Sequence, residues 1–186
     1  MMVASSGVTH IWDRLVEINP TRVCRRSQAV YDAMSAVYVL KSFGCELAVS
    51  LHNRSVYFSP SKLGKELKEK IGNDLSLSSL YYLTSARDMP VSQRLVGPSS
   101  LPGGQIFVKG SHVLPLDEVA CRYDANPADF IKKGEEFGGH CLEYTDASLR
   151  IYPFPRIPVV IILRRGDDEF QARVDILLDD SCTLHL

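Results

Sequence analysis

The most strongly apolar run in the chain is Val159-Val160-Ile161-Ile162-Leu163, preceded by Ile157-Pro158 and followed by Arg164-Arg165-Gly166. A run of this length suits a strand and falls far short of the roughly 20 apolar residues that a membrane span needs. Because it has no polar alternation, it predicts a central strand covered on both faces. Its neighbour follows at once, since Phe170, Ala172, Val174, Ile176 and Leu178 alternate with Gln171, Arg173 and Asp175. That period belongs to a strand with one wetter face. Arg164 to Glu169, with Gly166 at its centre, is the turn of the resulting C-terminal hairpin.

A second group of strands is expected early in the chain, at Tyr38 to Phe43, Cys45 to Leu51 and Ser55 to Phe58. Gly44 and His52-Asn53-Arg54 separate them, and such short connections imply an antiparallel meander. Helices are expected between and before these segments. Asn19-Pro20 is a cap-and-proline start, and Val23, Ser27, Val30, Tyr31 and Met34 carry a helical stripe to about Ser35. Ser59-Pro60 opens a helix bearing Leu63, Leu67 and Ile71, which Gly72-Asn73 ends; another runs from about Asp74 to Arg87. Two shorter helices follow at Pro115 to Arg122 and Pro127 to Phe137, the second left through Gly138-Gly139.

The fold class expected is therefore α+β, with a mainly antiparallel sheet built from the N-terminal meander and the C-terminal hairpin and about five helices on one side. With 186 residues and no repeat or linker, a single domain over 1–186 is expected, residues 1–18 having no defined element. Residues Ser92 to Gly110 hold two prolines and four glycines and form a long loop, a feature more often functional than merely connecting.

Charge excludes one class of partner. Lys+Arg number 21 against 22 Asp+Glu, so no basic excess points to nucleic acid. No segment spans a membrane, and Met1 to Gly7 does not resemble a secretory signal, so a cytoplasmic location is expected. Cys24, Cys45, Cys121, Cys141 and Cys182 are odd in number and irregularly spaced, which fits a reducing compartment better than a disulfide framework.

Candidate chemistry is sparse. The densest acidic group is Asp167-Asp168-Glu169, with Asp175, Asp179 and Asp180 further along. Strand-end carboxylates suit hard cations, but balance by Arg164 and Arg165 in a solvated turn is the plainer reading. Pro102-Gly103-Gly104 brings backbone amides near a ligand, though without the spacing of a phosphate or dinucleotide loop. His10, His52, His112, His140 and His185 are scattered and lack metal-ligand spacing; His112 alone is kept as a ligand-binding candidate. No metal site and no assignable catalytic residue follow from these patterns.

Read in order, several segments resemble the domain of unknown function 3786 family of anaerobic bacteria and archaea. They are Leu80-Tyr81-Tyr82-Leu83, Leu101-Pro102-Gly103-Gly104 with Phe107 and Gly110, Leu114 to Asp117, Phe130, Gly138-Gly139 and Asp146. Pro155-Arg156-Ile157-Pro158-Val159, Gly166 to Phe170 and Ile176 to Asp179 complete the set, which covers about residues 25–182. The resemblance implies an association with corrinoid and iron–sulfur metabolism. This chain has no cysteine-rich extension, so no intrinsic iron–sulfur cluster is expected. Family members tend to continue into a C-terminal helix; the chain's stop at Leu186 leaves its last strand less covered, which invites self-association.

Asp146 and the Asp167–Glu169 turn then become candidates for a shared pocket with Gly103 and Gly104. In the structural alternative, Asp146 caps a turn and Glu169 pairs with a buried arginine. The leading functional expectation is a non-catalytic binding or accessory module for a metallocofactor system in an anaerobe, with a protein partner or small ligand. A small carboxylate-based enzyme and a self-associating structural subunit, such as a homodimer, are the alternatives.

Overall fold

A computed structural model of the chain describes residues 6–109 and 112–186. The described residues hold five α-helices and two antiparallel sheets, so the α+β class is observed, with the meander and the hairpin in separate sheets. The chain divides into two compact units: Met1–Pro90 with Phe154–Arg156 and Leu184–Leu186, and Val91–Pro153 with Ile157–Thr183. No helix of the described chain is long and apolar enough to cross a membrane.

The first unit opens with α1, Ser6–Glu17, in the segment left without an element above. Ile11, Trp12 and Leu15 are buried, and with Val8 they form an i, i+3, i+4, i+7 stripe that packs on α3, Lys62–Ser85. Between these helices lie α2, Pro20–Ser27, and the meander of β1 (Val30–Asp32), β2 (Val37–Ser42), β3 (Cys45–Ser50) and β4 (Ser55–Phe58). Tyr38↔Val49 and Leu40↔Leu47 face each other across β2 and β3, all four fully buried. Phe43 and Gly44 join these strands with φ 47° and 74°, the left-handed pair of a tight hairpin.

α2 is half as long as its stripe suggests. Asn19 caps it as expected, its Oδ1 accepting the Thr21 N–H at 2.9 Å. It stops where Gln28 turns left-handed (φ 60°), and the β-formers Val30 and Tyr31 continue as β1. Asp32 then builds a turn by accepting the Met34 N–H at 3.0 Å and the Ser35 hydroxyl at 2.5 Å, leaving Met34 almost wholly exposed. The two helices expected over 59–87 follow one another as a continuous element broken at Ile71 (φ −135°, ψ 19°), beside the expected Gly72-Asn73 end, and the first is capped by Ser61 rather than Ser59.

Arg156 lies at the centre of this unit. Its side chain is nearly buried and donates to the carbonyls of Arg26 (2.6 Å), Arg25 (3.1 Å) and Met89, with Asp88 Oδ1 at 3.3 Å. Its backbone N–H donates to the Tyr82 hydroxyl at 3.1 Å, which itself donates to the Ser27 carbonyl. The Tyr82 ring stacks on Phe154 with centroids 4.7 Å apart, and burial pushes its phenol up to about 12.

The second unit holds β5 (Leu95–Val96), α4 (Leu116–Tyr123), α5 (Pro127–Glu136), β6 (His140–Leu142), β7 (Ala147–Phe154), β8 (Ile157–Arg164) and β9 (Arg173–Asp179). The sheet order β5-β9-β8-β7-β6 makes β8 central, and Ile157, Val160, Ile162 and Leu163 are buried, as the apolar run requires. α4 packs on β8 and β9, and its Ala120 shares a core with Phe130, Ala147, Leu149, Leu163 and Val174. Phe170 falls outside β9 and is 70% exposed, because the chain is still turning there. β9 is not a bare edge at its C-terminal end, where β5 pairs with Leu178 and Asp179.

Asp179 is buried and fixes the start of the long loop. Its carboxylate accepts the N–H groups of Ser92 (3.0 Å), Gln93 (2.7 Å) and Ser181 (3.0 Å) and the hydroxyls of Ser92 and Ser181. Burial alone would raise its pKa, but the Ser181 and Ser92 hydrogen bonds outweigh it and hold the carboxyl below the usual range.

Arg156→Met retains the aliphatic stem but removes every guanidinium donor, leaving the part-buried carbonyls of Arg25, Arg26 and Met89 without that partner. A loss of about 3 kcal/mol is expected. It is read as a lower urea midpoint at unchanged m-value.

Candidate functional site

The acidic turn of the sequence opens onto a cleft of about 730 Å³ in the second unit, lined by Asp167, Asp168, Glu169 and Phe170 on one side. The other side is one face of α4 and its end: Asp117, Cys121 and Asp124. None of these three is among the site candidates read from the sequence, although Asp117 and Cys121 stand four apart in the expected Pro115–Arg122 helix and Asp124 follows its end.

Two of the carboxylates are occupied by local architecture. Asp167 accepts the N–H groups of Phe170 (2.7 Å) and Glu169 (2.9 Å), and these bonds hold its carboxyl below the usual range. Asp124 Oδ1 accepts the Gly166 N–H at 2.9 Å, while its carbonyl takes the Arg165 Nε at 3.0 Å. Asp117, Asp168 and Glu169 are exposed and have no ion-pair partner among the described residues. Asp175 holds both Arg164 (3.3 Å) and Arg173 (3.6 Å), so the nearby arginines are already engaged. Among the described residues, no group of three or more His, Cys, Asp or Glu is placed to hold a metal ion.

Asp146 does not line this cleft. It accepts the Arg165 N–H at 3.0 Å and so ties the end of β8 to the loop before β7, the turn-capping role of the structural alternative. That alternative paired Glu169 with a buried arginine, but the buried arginine is Arg156 and its carboxylate partner is Asp88. His112 is exposed just after the long loop and lines neither this cleft nor the groove described next, and Gly110 lies outside the described residues.

Gly103 and Gly104 shape the loop. Gly103 has φ 75°, and a Cβ on Gly104 would fall 1.8 Å from the Pro98 carbonyl oxygen, so only glycine permits this close turn. The turn sets Phe107 and Val108 opposite β9, across a groove of about 450 Å³. Val113, Leu114 and Leu116 continue that wall, and Ile162, Val174, Ile176 and Leu177 form much of the other. Phe107, Val108 and Val113 are roughly half exposed, an unusual concentration of uncovered apolar side chains. Asp117 lines both the groove and the acidic cleft, so an apolar trough and an anionic pocket meet at one residue.

The family model of the domain of unknown function DUF3786 matches residues 19–186. The chain belongs to that family. Comparison with curated proteins and with solved structures gave no match. The DUF3786 region contains both units' buried charges, Arg156 and Asp179, and every residue of the cleft and groove, while α1 precedes it. Several segments that carry the resemblance thus have a physical role in this DUF3786 chain: Tyr82 and Arg156 in one buried network, Gly103-Gly104 in a tight loop, and Asp179 as the loop anchor.

Gly104→Ala forces the loop off the Pro98 carbonyl at a cost of about 1–3 kcal/mol. Faster tryptic cleavage at the exposed Lys109, with far-UV circular dichroism unchanged, is the expected readout. For Asp167 the sign follows from its lowered pKa: the turn's stabilisation is complete above the ordinary value of 3.8 and is lost as pH falls through the native value. In an NMR titration the Asp167 carboxyl therefore protonates below 3.8, and the Glu169 and Phe170 amide shifts follow it.

Proposed function

We propose that this chain is a binding or accessory module that carries out no catalytic step itself, and that the joined groove and cleft of its second unit recognise the partner. One observation carries the reading: Asp117 belongs to both concavities, so a ligand lying in the apolar groove delivers its end to the acidic cleft. Concave, mostly apolar surfaces with a few polar groups at one end are the usual form of a ligand site. The exposed carboxylates of Asp117, Asp168 and Glu169 select a cationic end, and the half-exposed Phe107, Val108 and Val113 select an apolar body.

The association that accompanies the family resemblance supplies the class of partner: a protein component of corrinoid or iron–sulfur metabolism in an anaerobe, served by this chain in the cytoplasm. A second reading, a small enzyme using carboxylates as acid, base or ligands, is favoured by the meeting of Asp117, Asp168 and Glu169 in one cleft. In that reading α4 replaces the Gly103-Gly104 loop as the opposite wall.

Tagged full-length protein, recovered anaerobically from its native cells, is expected to bring down a partner with a corrinoid or iron–sulfur visible spectrum. Val113→Asp and the pair Asp168→Lys with Glu169→Lys each reduce that recovery about tenfold while the fold stays intact by circular dichroism. A colourless preparation, or recovery indifferent to both changes, removes the proposal.

A further inference from the structure

The groove runs along an unfinished strand edge. β9 pairs with β8 from Arg173 to Leu178, but on its other side β5 reaches only Leu178 and Asp179 before Pro98 opens a 3-10 turn. The Asp180 N–H donates to the Arg94 carbonyl at 3.0 Å, which fixes which residues of β9 turn their backbone outward. Stepping back by two, Leu178, Ile176 and Val174 present N–H and C=O away from β8. At Ile176 and Val174 no strand lies beside them among the described residues. Val174, Asp175, Ile176 and Leu177 all line the groove, although successive side chains of a strand point to opposite faces. The groove therefore reaches around the strand's edge, and on one face of the sheet it continues to Ile162 and Arg164 of β8.

We propose that this edge receives an extended peptide segment of a partner protein, which adds a strand antiparallel to β9 in the place that β5 leaves vacant. The proposal rests on the binding-module reading and names the form of its ligand. Four residues of β9 span about 13 Å at roughly 3.3 Å each, so a segment of about four residues pairs there. Antiparallel pairing continues the pattern on both sides of β9, where β8 and β5 are each antiparallel. It also fixes the order of the segment. The acidic turn, Asp167 to Glu169, immediately precedes Arg173, so a segment running antiparallel to β9 leaves its C-terminal end at the acidic cleft. The ligand is therefore apolar first and basic second. Its alternate side chains meet Phe107, Val108 and Val113, and its lysines or arginines meet Asp117, Asp168 and Glu169.

Fluorescence anisotropy on the full chain tests this with a labelled six-residue peptide that alternates valine and threonine over four positions and ends in two lysines. Saturable binding is expected, at least tenfold weaker for the same peptide with its lysines at the N-terminus and similarly weakened by Asp117→Lys. Two further peptides carry N-methyl groups on alternate backbone amides. One set removes the donors that face β9 and abolishes binding; the other set leaves binding within threefold. Equal binding by both methylated peptides, no preference for lysine position, or no saturable binding at all overturns the strand-addition proposal. Self-association abolished by Val113→Asp in sedimentation velocity also overturns it, by making a second copy of this chain the occupant. Failure of the peptide arms with coloured-partner recovery intact leaves the module reading standing, whereas lost recovery with intact peptide binding removes only the metallocofactor assignment.

Discussion

A buried guanidinium is the interaction on which the first unit depends. Helix α2 ends after eight residues at the buried Ser27, and the carbonyls of its last turn need donors that a longer helix would have supplied. Arg156 donates to Arg25 and Arg26, and the Tyr82 hydroxyl donates to Ser27, so the helix end is closed by side chains from elsewhere in the chain. A cation is also the favourable charge at a helix C-terminus. The same guanidinium takes the Met89 carbonyl and Asp88 just beyond α3, so one planar group serves the exits of two helices. Lysine has a single nitrogen and cannot reach these directions together, which is why the position calls for arginine.

The second unit is organised around the opposite charge. Asp179 accepts from three backbone amides and two hydroxyls, and its hydrogen bonds more than repay the penalty of burial. Because Ser92 and Gln93 are among its donors, this carboxylate decides where the long loop starts and brings β5 against the end of β9. Gly104 then folds the loop onto Pro98, and the apolar residues after it are held at a distance from β9 instead of filling the gap. The groove is thus a consequence of two fixed points on the loop, one electrostatic and one steric.

What was legible in the sequence was what depends on near neighbours. The meander and the central strand follow from two-residue alternation and uninterrupted apolarity, and the Asn126-Pro127 helix from its own punctuation. α1 is equally legible as a stripe, since Val8, Ile11, Trp12 and Leu15 lie on one face, although the sequence reading leaves residues 1–18 without an element. The end of α2 was not legible: the group that closes it is 130 residues away in sequence, and the apolar stripe runs past the true end into β1. In the candidate site, the acidic turn announced itself by composition. Its partner face on α4 was present as spacing, yet only the packing of α4 on β9 shows that the two face one cleft.

The carboxylates of that cleft are not equivalent, and this governs what any charge change there can mean. Asp167 and Asp124 use their oxygens to hold the turn's own amides, so altering either one moves the backbone as well as the charge. Asp117, Asp168 and Glu169 make no such bond among the described residues, and their mutual repulsion is tolerated because solvent and salt screen exposed charges. A cation entering the cleft relieves that repulsion without disturbing the turn, since the structural carboxylates are already satisfied. The attraction is consequently weakened by salt, whereas the contribution of Phe107, Val108 and Val113 in the groove is not, and the salt dependence of binding separates the two halves of the site.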